Sequence, residues 1–557
     1  MDQNEIDQKA IAMAKALAAD AVEHRGNGHP GTAVSLAGVA YLLYQKIMRV
    51  NPEDPNWYGR DRFILSIGHS SLTQYIQLFL NGFGLEIPDL QNFRKNGSLT
   101  PGHPEYKHTK GIEMTTGPLG QGLASAVGFA MASRYEHGLF DPETKLGRSV
   151  FDHNIYVLCG DGDLQEGITS EAASLAGTQN LGNLIVIYDD NHISIEGDTK
   201  ISFTENVLKR FDSYGWHTQS VNWLQKDGSY SEDLPALEQA IINAQQMPDR
   251  PSLIRLRTLM AWPTPNKTNT GAAHGNPLGP ANIAALKAKL ELPTDQTFYV
   301  DSEVLHKVRA QAHFRGAKIQ KNWQAKFDQW AEANPAGKAL FERLLEGRLP
   351  EDLPAALPQF AAGEEIATRV SSNTILNALA KQLPELWGGS ADLGSSNGTT
   401  IKGAESFMPE ASETSDWTGN YFGRVIHFGI REHAMGAILN GIVLGGVTRA
   451  FGGTFLVFSD YMRGSVRLAA LMGIAPIFIW SHDSIAVGED GPTHQPIEHL
   501  AALRAIPNLD VVRPADANEL AQCYLEILAQ HERPTGLILT RQNVPTITRG
   551  EIENYSG

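Results

Sequence analysis

The sequence predicts an α/β protein with a mainly parallel, helix-covered sheet in each half. Three observations carry this. Short apolar runs alternate with helical stretches along the chain, the rhythm of βαβ units. Hydrophobic residues are 42% of the 557, enough for large cores, and at roughly 150 residues per domain the length allows three to four domains or two large ones. Glycine-rich turns follow several apolar runs, where parallel sheets place their ligands.

Taken in order, the elements begin with MDQNEIDQKAIAMAKALAADAVEH, whose apolar residues fall at helical spacing among acids. A secretory leader has the opposite order, basic and then apolar, so this segment is expected to be a folded helix of a cytoplasmic protein. Residues 154–160 (NIYVLCG), 164–180 (LQEGITSEAASLAGTQN) and 184–190 (LIVIYDD) form a strand, a helix and a strand, the signature of a parallel sheet. A charged helical stretch from Val304 leads into RLPEDLPAALPQFAAGEE, where three prolines interrupt regular structure, and the connector is placed there, ending at Glu364. The second half repeats the alternation with VIHFGI, REHAMGAILNGIVLGG, APIFIWSH, LDVVRPAD, the helical ANELAQCYLEILAQH and TGLILTRQ. Each half therefore carries its own parallel sheet.

Composition excludes several functions. The net charge of −16 opposes extended contact with a phosphate backbone, so no nucleic-acid role is expected, and any anionic ligand must find local cationic pockets. The longest apolar candidate, LAALMGIAPIFIW, is shorter than the roughly 18–20 residues of a membrane span, so no membrane association is expected. With only Cys159 and Cys523, neither a disulfide framework nor a CxxC metal site is available.

The first turn with chemistry is Gly160-Asp161-Gly162, directly after one apolar run, paired with Asn191 directly after the next. Glycine lets a phosphate approach the backbone, and a carboxylate with an amide oxygen suits Mg²⁺ or Ca²⁺ that bridges phosphates. Alone, GDG is ordinarily a turn. The βαβ context brings both side chains to one sheet edge, so a metal–diphosphate site is expected. Gly117-Pro118-Leu119-Gly120-Gln121-Gly122 precedes an Ala-rich helix, where free backbone N–H groups suit an anion, although close packing explains it as well.

Arg431-Glu432-His433 opens a helix, and by spacing alone Glu432 reads as a first-turn acid that favours the helix dipole. Phe455, Phe458 and Tyr461 in FGGTFLVFSDYMRG lie at helical spacing, and such a stripe reads first as core. Six histidines, His29, His69, His103, His274, His482 and His494, lie in loops beside glycines and prolines. Without accompanying acid or thiol ligands they point to a polar pocket and not to zinc. Arg369, Asp392, Ser396 and Arg541 complete the set: arginine can clamp a phosphate or sit in a surface ion pair.

Together these motifs resemble the transketolase family, thiamine-diphosphate enzymes that move a two-carbon ketol unit between sugar phosphates. The likeness runs through GNGHPG, GHS, GHPE, GPLGQG, the GDG…N motif, HGNPLG, GGSADL, GIREHAMG, GGTF, HDSIAVGEDGPTHQP, RPADANE and TRQN, in the family's order and over essentially the whole chain. It implies two thiamine-diphosphate-binding-fold domains: a diphosphate-binding domain over 1–303, the helical and Pro-rich connector over 304–364, and a pyrimidine-binding domain over 365–557. The family's third, C-terminal α/β domain is expected to be absent, because the chain stops about 16 residues after Arg541. Smaller departures are GHSS for the family's usual GHG or GHA, and Asn276 where alanine is usual.

Carried over residue by residue, the resemblance makes Asp161, Asn191 and the carbonyl of Ile193 ligands of Mg²⁺ (or Ca²⁺ or Mn²⁺). It sets Gly117, Leu119, Gly162 and Glu166 beside thiamine diphosphate, and Phe455, Phe458, Tyr461 and His494 around its pyrimidine. Glu432 becomes the catalytic carboxylate, favouring the imino tautomer that generates the thiazolium ylid, with a dihydroxyethyl intermediate following. The resemblance assigns His29, His69, His103, His274 and His482 to the reacting oxygens, Asp490 to the acceptor's C2 hydroxyl, and Arg369, Ser396, His482 and Arg541 to the sugar phosphate.

A homodimer is implied, in which the diphosphate half of one chain faces the pyrimidine half of the other, and so is a place in the pentose phosphate pathway. Dihydroxyacetone synthase and deoxyxylulose-phosphate synthase share the cofactor machinery, and GEDGPTHQP with the histidine set disfavours the second. An inactive cofactor-binding relative is the alternative outside catalysis, opposed by the intact Glu432, Asp161 and Asn191.

Overall fold

In the first half, the apolar runs become strands because they can bury both faces at once. The computed structural model describes residues 1–547 and divides into two compact units, Met1–Ala126 with His153–Trp330, and Val127–Asp152 with the chain from Ala331 onward. The first unit holds a five-stranded parallel sheet of β1 (Arg62–Leu65), β2 (Ile155–Gly160), β3 (Leu184–Asp190), β4 (His217–Asn222) and β5 (Ser252–Arg257), in the order β1-β2-β3-β5-β4. All of β2 and β3 is buried, and each fully buried Ile, Val or Leu there contributes about 2 kcal/mol of transfer free energy.

Register decides what happens at the sheet's edge. Gly160 of β2 pairs with Asp189 of β3, and Asp190 of β3 with Arg257 of β5. The turns after these three parallel strands therefore leave the sheet side by side, and they carry Asp161, Asn191 and Met260.

The N-terminal helix expected from the spacing is α1 (Gln3–Arg25), capped by the Asp2 carboxylate, which accepts from the Glu5 N–H, and ended by Gly26 in the left-handed region. It is buried nearly all round between Ala10 and Val22, so its charged members are paired: Lys15 with Glu232, and Asp20 with Lys287 at 2.7 Å. Helix α2 (Gln121–Phe140) follows the GPLGQG loop, and α3 (Gly167–Thr178) follows the GDG turn. Helices Ser302–Ala333 and Pro335–Leu345 and a short turn at Leu353–Ala356 occupy the stretch before the second sheet.

The second unit holds an eight-stranded parallel sheet. Its strands are β6 (Leu386–Ser390), β7 (Ser406–Phe407), β8 (Gly419–Asn420), β9 (Val425–His427), β10 (Arg449–Phe455), β11 (Ile477–Ser481), β12 (Asp510–Val512) and β13 (Thr535–Leu539), in the order β8-β7-β9-β6-β10-β11-β13-β12. Helices α4 (Glu432–Gly445) and α5 (Arg463–Met472) follow β9 and β10. Helix α4 lies against residues of α2 at glycine contacts. A Cβ on Gly128 would stand 2.0 Å from the Ile438 carbonyl oxygen, and one on Gly445 would stand 2.9 Å from the Phe129 Cα. Only glycine permits so close a backbone approach. Pairing of Ser390 with Gly453, Phe455 with Ser481 and Ser481 with Leu539 brings the turns after β6, β10, β11 and β13 to one edge.

Candidate active site

In the first unit, a cavity of about 310 Å³ opens at the C-terminal edge of the sheet. Asp161, Gly162, Asn191 and Ile193 line it together with Gly117 and Leu119 from the loop before α2, and His29, His69, His103 and His274 complete the wall. The Asp161 carboxylate accepts from the Tyr188 hydroxyl and, at 3.0 Å, from the His192 N–H. Asn191 turns its amide nitrogen to Asp189 at 2.6 Å, while its oxygen accepts from the Ile193 N–H at 2.8 Å. Each of these bonds fixes an oxygen-bearing group in place.

The donor set fits a divalent cation and a diphosphate. A carboxylate, an amide oxygen and a loop carbonyl are hard ligands, and they stand where carboxylates crowd. Burial, reinforced by neighbouring carboxylates, pushes Asp161 up to about 6 and Asp189 up to about 7. A cation relieves that repulsion, and Gly162 and Gly117 line the same cavity, packed against Leu119 and His103 so closely that a Cβ would stand 2.8 Å and 3.3 Å from them.

Three of the histidines form a compact group, with ring centroids 4.9 Å apart for His29 and His69, 5.0 Å for His69 and His274, and 5.6 Å for His29 and His274. Burial holds all four cavity histidines below their usual range; His29 drops to about 4, helped by His274, Arg94 and His103. At neutral pH they are uncharged, and each ring presents one donor and one acceptor nitrogen.

Glu166 lies apart from this wall. It is exposed at the start of α3, and its Cβ stands 2.9 Å from where a Cβ on Gly120 would be.

Two residues of this unit went unread in the sequence. Asp163 is fully buried and accepts from Gly120 N–H at 2.8 Å, Ser66 Oγ at 2.7 Å and Gly160 N–H at 3.1 Å. One carboxylate thus ties the GPLGQG loop, the turn after β1 and the GDG turn. Its signal was a carboxylate three residues after a helix N-cap, the spacing that reaches back to the cap N–H. The other is Arg94, bonded to His29, with no motif to mark it.

In the second unit the expected residues gather at the edge of the eight-stranded sheet. His482 stacks on Phe455 with ring centroids 3.8 Å apart, and His494 meets Phe458 edge-on at 5.3 Å. Phe458 lies 5.9 Å from both Phe455 and Tyr461. These aromatics do not form the helical stripe that their spacing predicted: Phe455 ends β10, Phe458 sits in a short 3₁₀ turn and Tyr461 follows it.

Arg369 donates to the Ser396 carbonyl at 2.9 Å, and Arg541 pairs with Glu489 beside Asp490. Burial first, and then Arg369 and Arg541, holds the His482 imidazole down to about 4. Glu432 is the first residue of α4 and is buried.

Two family profiles match the chain. One is the transketolase thiamine diphosphate binding domain over residues 6–350, and the other is the transketolase pyrimidine binding domain over residues 364–546. A transketolase of Mycobacterium bovis is 57% identical over 558 residues, which span 100% of this chain and 79% of the relative. One from Geobacillus stearothermophilus is 48% identical over 99% of this chain and 80% of its own length. The crystal structure of a Pichia stipitis transketolase in complex with sedoheptulose 7-phosphate aligns with a TM-score of 0.92 at 43% identity, covering 98% of this chain and 79% of that one. Identity of this order over the full described fold, with both profiles matched in sequence, means that the chain belongs to the transketolase family.

Proposed function

We propose that Asp161, Asn191 and the Ile193 carbonyl hold a divalent cation, Mg²⁺ or its substitutes Ca²⁺ or Mn²⁺, through which the first unit binds the diphosphate of thiamine diphosphate. The observation that carries this reading is one cavity that joins hard oxygen ligands to four neutral histidines. The reaction is that of the family, reversible transfer of a two-carbon ketol unit from a ketose phosphate to an aldose phosphate. The cofactor, when bound, supplies a nucleophilic carbon and an electron sink for breaking the ketose C2–C3 bond.

The chain's own residues do the rest. Gly117, Leu119 and Gly162 shape the cradle. Glu432, at the start of α4, holds a proton at the pyrimidine ring nitrogen, and Phe455, Phe458, Tyr461 and His494 enclose that ring. As a group, His29, His69, His103 and His274 donate to and accept from the sugar oxygens. They can do both because they are neutral. Arg369, Arg541, Ser396 and His482 take the phosphate, which is how a protein of net charge −16 binds anionic sugars, and Asp490 takes the acceptor's C2 hydroxyl. Glu166 is assigned to the cofactor by the family pattern alone.

We assign 1–303 to diphosphate binding, 304–364 to the connector and 365–557 to pyrimidine binding; the start of the second profile match at 364 supports the last boundary, while the first match runs on to 350, through most of the connector. The assembly is a homodimer. That reading rests on the family resemblance; Ile195, Ile430 and Ile497, exposed at 75%, 77% and 73%, each lie within three residues of a proposed site residue. Among the described residues no helix is long and apolar enough to cross a membrane, and we place the enzyme in the cytoplasm, in the pentose phosphate pathway.

The deciding experiment supplies thiamine diphosphate, Mg²⁺, xylulose 5-phosphate and ribose 5-phosphate, and follows a seven-carbon ketose phosphate and a three-carbon aldose phosphate. Preference for formaldehyde as acceptor, or for pyruvate as donor, points instead to dihydroxyacetone synthase or deoxyxylulose-phosphate synthase. Cofactor binding without turnover of any pair identifies an inactive relative.

A further inference from the structure

Arg94 stands against the histidine group without lining the cavity. Its Nη2 lies 3.1 Å from His29 Nδ1, and its Nη1 donates to the Asn27 side-chain oxygen at 3.1 Å. Its backbone is held in the left-handed region at φ +60°, where its N–H donates to the Thr100 carbonyl at 2.9 Å. A non-glycine residue there is strained, and such strain concentrates at functional sites. Gly102 leaves room for the side chain, because a Cβ there would stand 3.0 Å from Arg94 Nε. The guanidinium is thus gripped between the turn that carries His29 and the loop that carries His103.

A guanidinium has five donors and no acceptor. The nitrogen it meets must therefore offer a lone pair, so His29 Nδ1 bears no hydrogen, and the ring's hydrogen lies on Nε2. We propose that Arg94 is a positioning residue that locks His29 in its Nε2–H tautomer, so that the ring enters the sugar-binding cavity as a hydrogen-bond donor. This rests on the reading that the cavity takes a ketose phosphate. The other groups that face His29 are His69, His103 and His274. None of them is restricted to donating, so Arg94 alone fixes the choice. Without it either tautomer is available, and the acceptor form meets a substrate oxygen lone pair to lone pair.

The test begins on the unloaded protein. Two-bond ¹H–¹⁵N correlation spectra of protein labelled at histidine report which ring nitrogen carries hydrogen, with His29 assigned by the signals lost in His29→Asn. The expected result is a single Nε2–H tautomer in the parent, retention of it in Arg94→Lys, which still only donates, and a mixture in Arg94→Met. In the loaded enzyme, Arg94→Met should lower kcat/KM for xylulose 5-phosphate about tenfold or more, the scale of one lost charged hydrogen bond. Arg94→Lys should recover most of that loss, and the Kd for thiamine diphosphate should stay within about twofold throughout.

An Nδ1–H or doubly protonated His29 in the parent overturns the proposal, as does an Arg94→Met protein that keeps both the tautomer and kcat/KM. Should Arg94→Met not fold, the parent spectrum decides alone. A parent that turns over no ketose phosphate removes the functional reading, whereas the spectrum of the unloaded protein still judges the tautomer.

Discussion

Asp163 is fully buried, and burial pushes its carboxyl up to about 6, yet three donors from three loops converge on it. A buried carboxylate is tolerated when its lone pairs are filled, and here filling them sets the spacing of the loops around the cavity. Asp163→Asn offers one oxygen and turns an amide N–H toward a donor, leaving buried groups unpaired at a cost of about 2–3 kcal/mol. The expected outcome is a lower urea midpoint together with weaker thiamine-diphosphate binding, and parental values of both would remove its role in shaping the cradle. His482 permits a pH test in the other unit. Its folded value of about 4 lies below the ordinary 6.5, so between these limits the unfolded chain binds the extra proton and stability falls as pH falls. Relative to His482→Asn, the parent should lose up to about 1.4 kcal/mol per pH unit across that window and nothing above it, as urea titrations at several pH values would report. Asp161, Asn191 and the histidines were legible because each follows an apolar run or sits in a glycine-rich turn. Asp163 and Arg94 were not, since a carboxylate in a turn and an arginine in a polar loop are ordinary until their partners, distant in sequence, are known.

At the scale of elements, the strands that were legible are those buried on both faces. Residues 154–160 and 184–190 read as continuous apolar runs and became β2 and β3, buried throughout. In contrast, β7 and β8 have two residues each, too short to show any period, and β4 alternates only weakly because most of its side chains are partly exposed. Such strands are set by the neighbours that pair with them and not by local preference. The contact between α2 and α4 was hidden for a related reason: a glycine within a helix lowers local propensity, and its purpose appears only with the facing helix in place. Gly128 meets the Ile438 carbonyl oxygen so closely that an added Cβ would stand 2.0 Å from it. Gly128→Ala must therefore push α4 away, and overpacking of this kind costs about 1–3 kcal/mol. Because α4 begins with Glu432, the variant should lose turnover beyond what its denaturation midpoint explains. A variant destabilised to this degree with unchanged kcat would show that the start of α4 is set by its own cap and not by this contact.

For the whole molecule, the two units divide the chemistry. Every proposed metal ligand and four of the six loop histidines belong to the first, while Glu432, the aromatics proposed to enclose the pyrimidine and the arginines proposed for the sugar phosphate belong to the second. The fold of each half was legible because alternation of strands and helices is a local pattern. The proposed pairing of two chains was legible only through the family resemblance, since exposed apolar side chains such as Ile195, Ile430 and Ile497 lie far apart in the sequence and form no local pattern. The homodimer reading makes a sharp prediction. Asp161→Ala and Glu432→Ala chains, each inactive alone, are co-expressed with different tags and assort at random. If each active site takes Asp161 from one chain and Glu432 from the other, a mixed dimer has one site with both lesions and one with neither. About half of the dimers are mixed under random assortment, so roughly a quarter of all sites should be intact, by the two-fold symmetry of an isologous dimer. Purified mixed dimers should then turn over at about half the parental rate per dimer. If both residues served the same chain's site, every site would retain one lesion and the mixed dimers would be inactive. That result would exclude a shared site yet leave the cofactor chemistry proposed for each unit untouched, because the cation binding proposed at Asp161 and the proton handling proposed at Glu432 depend only on reaching the same cofactor.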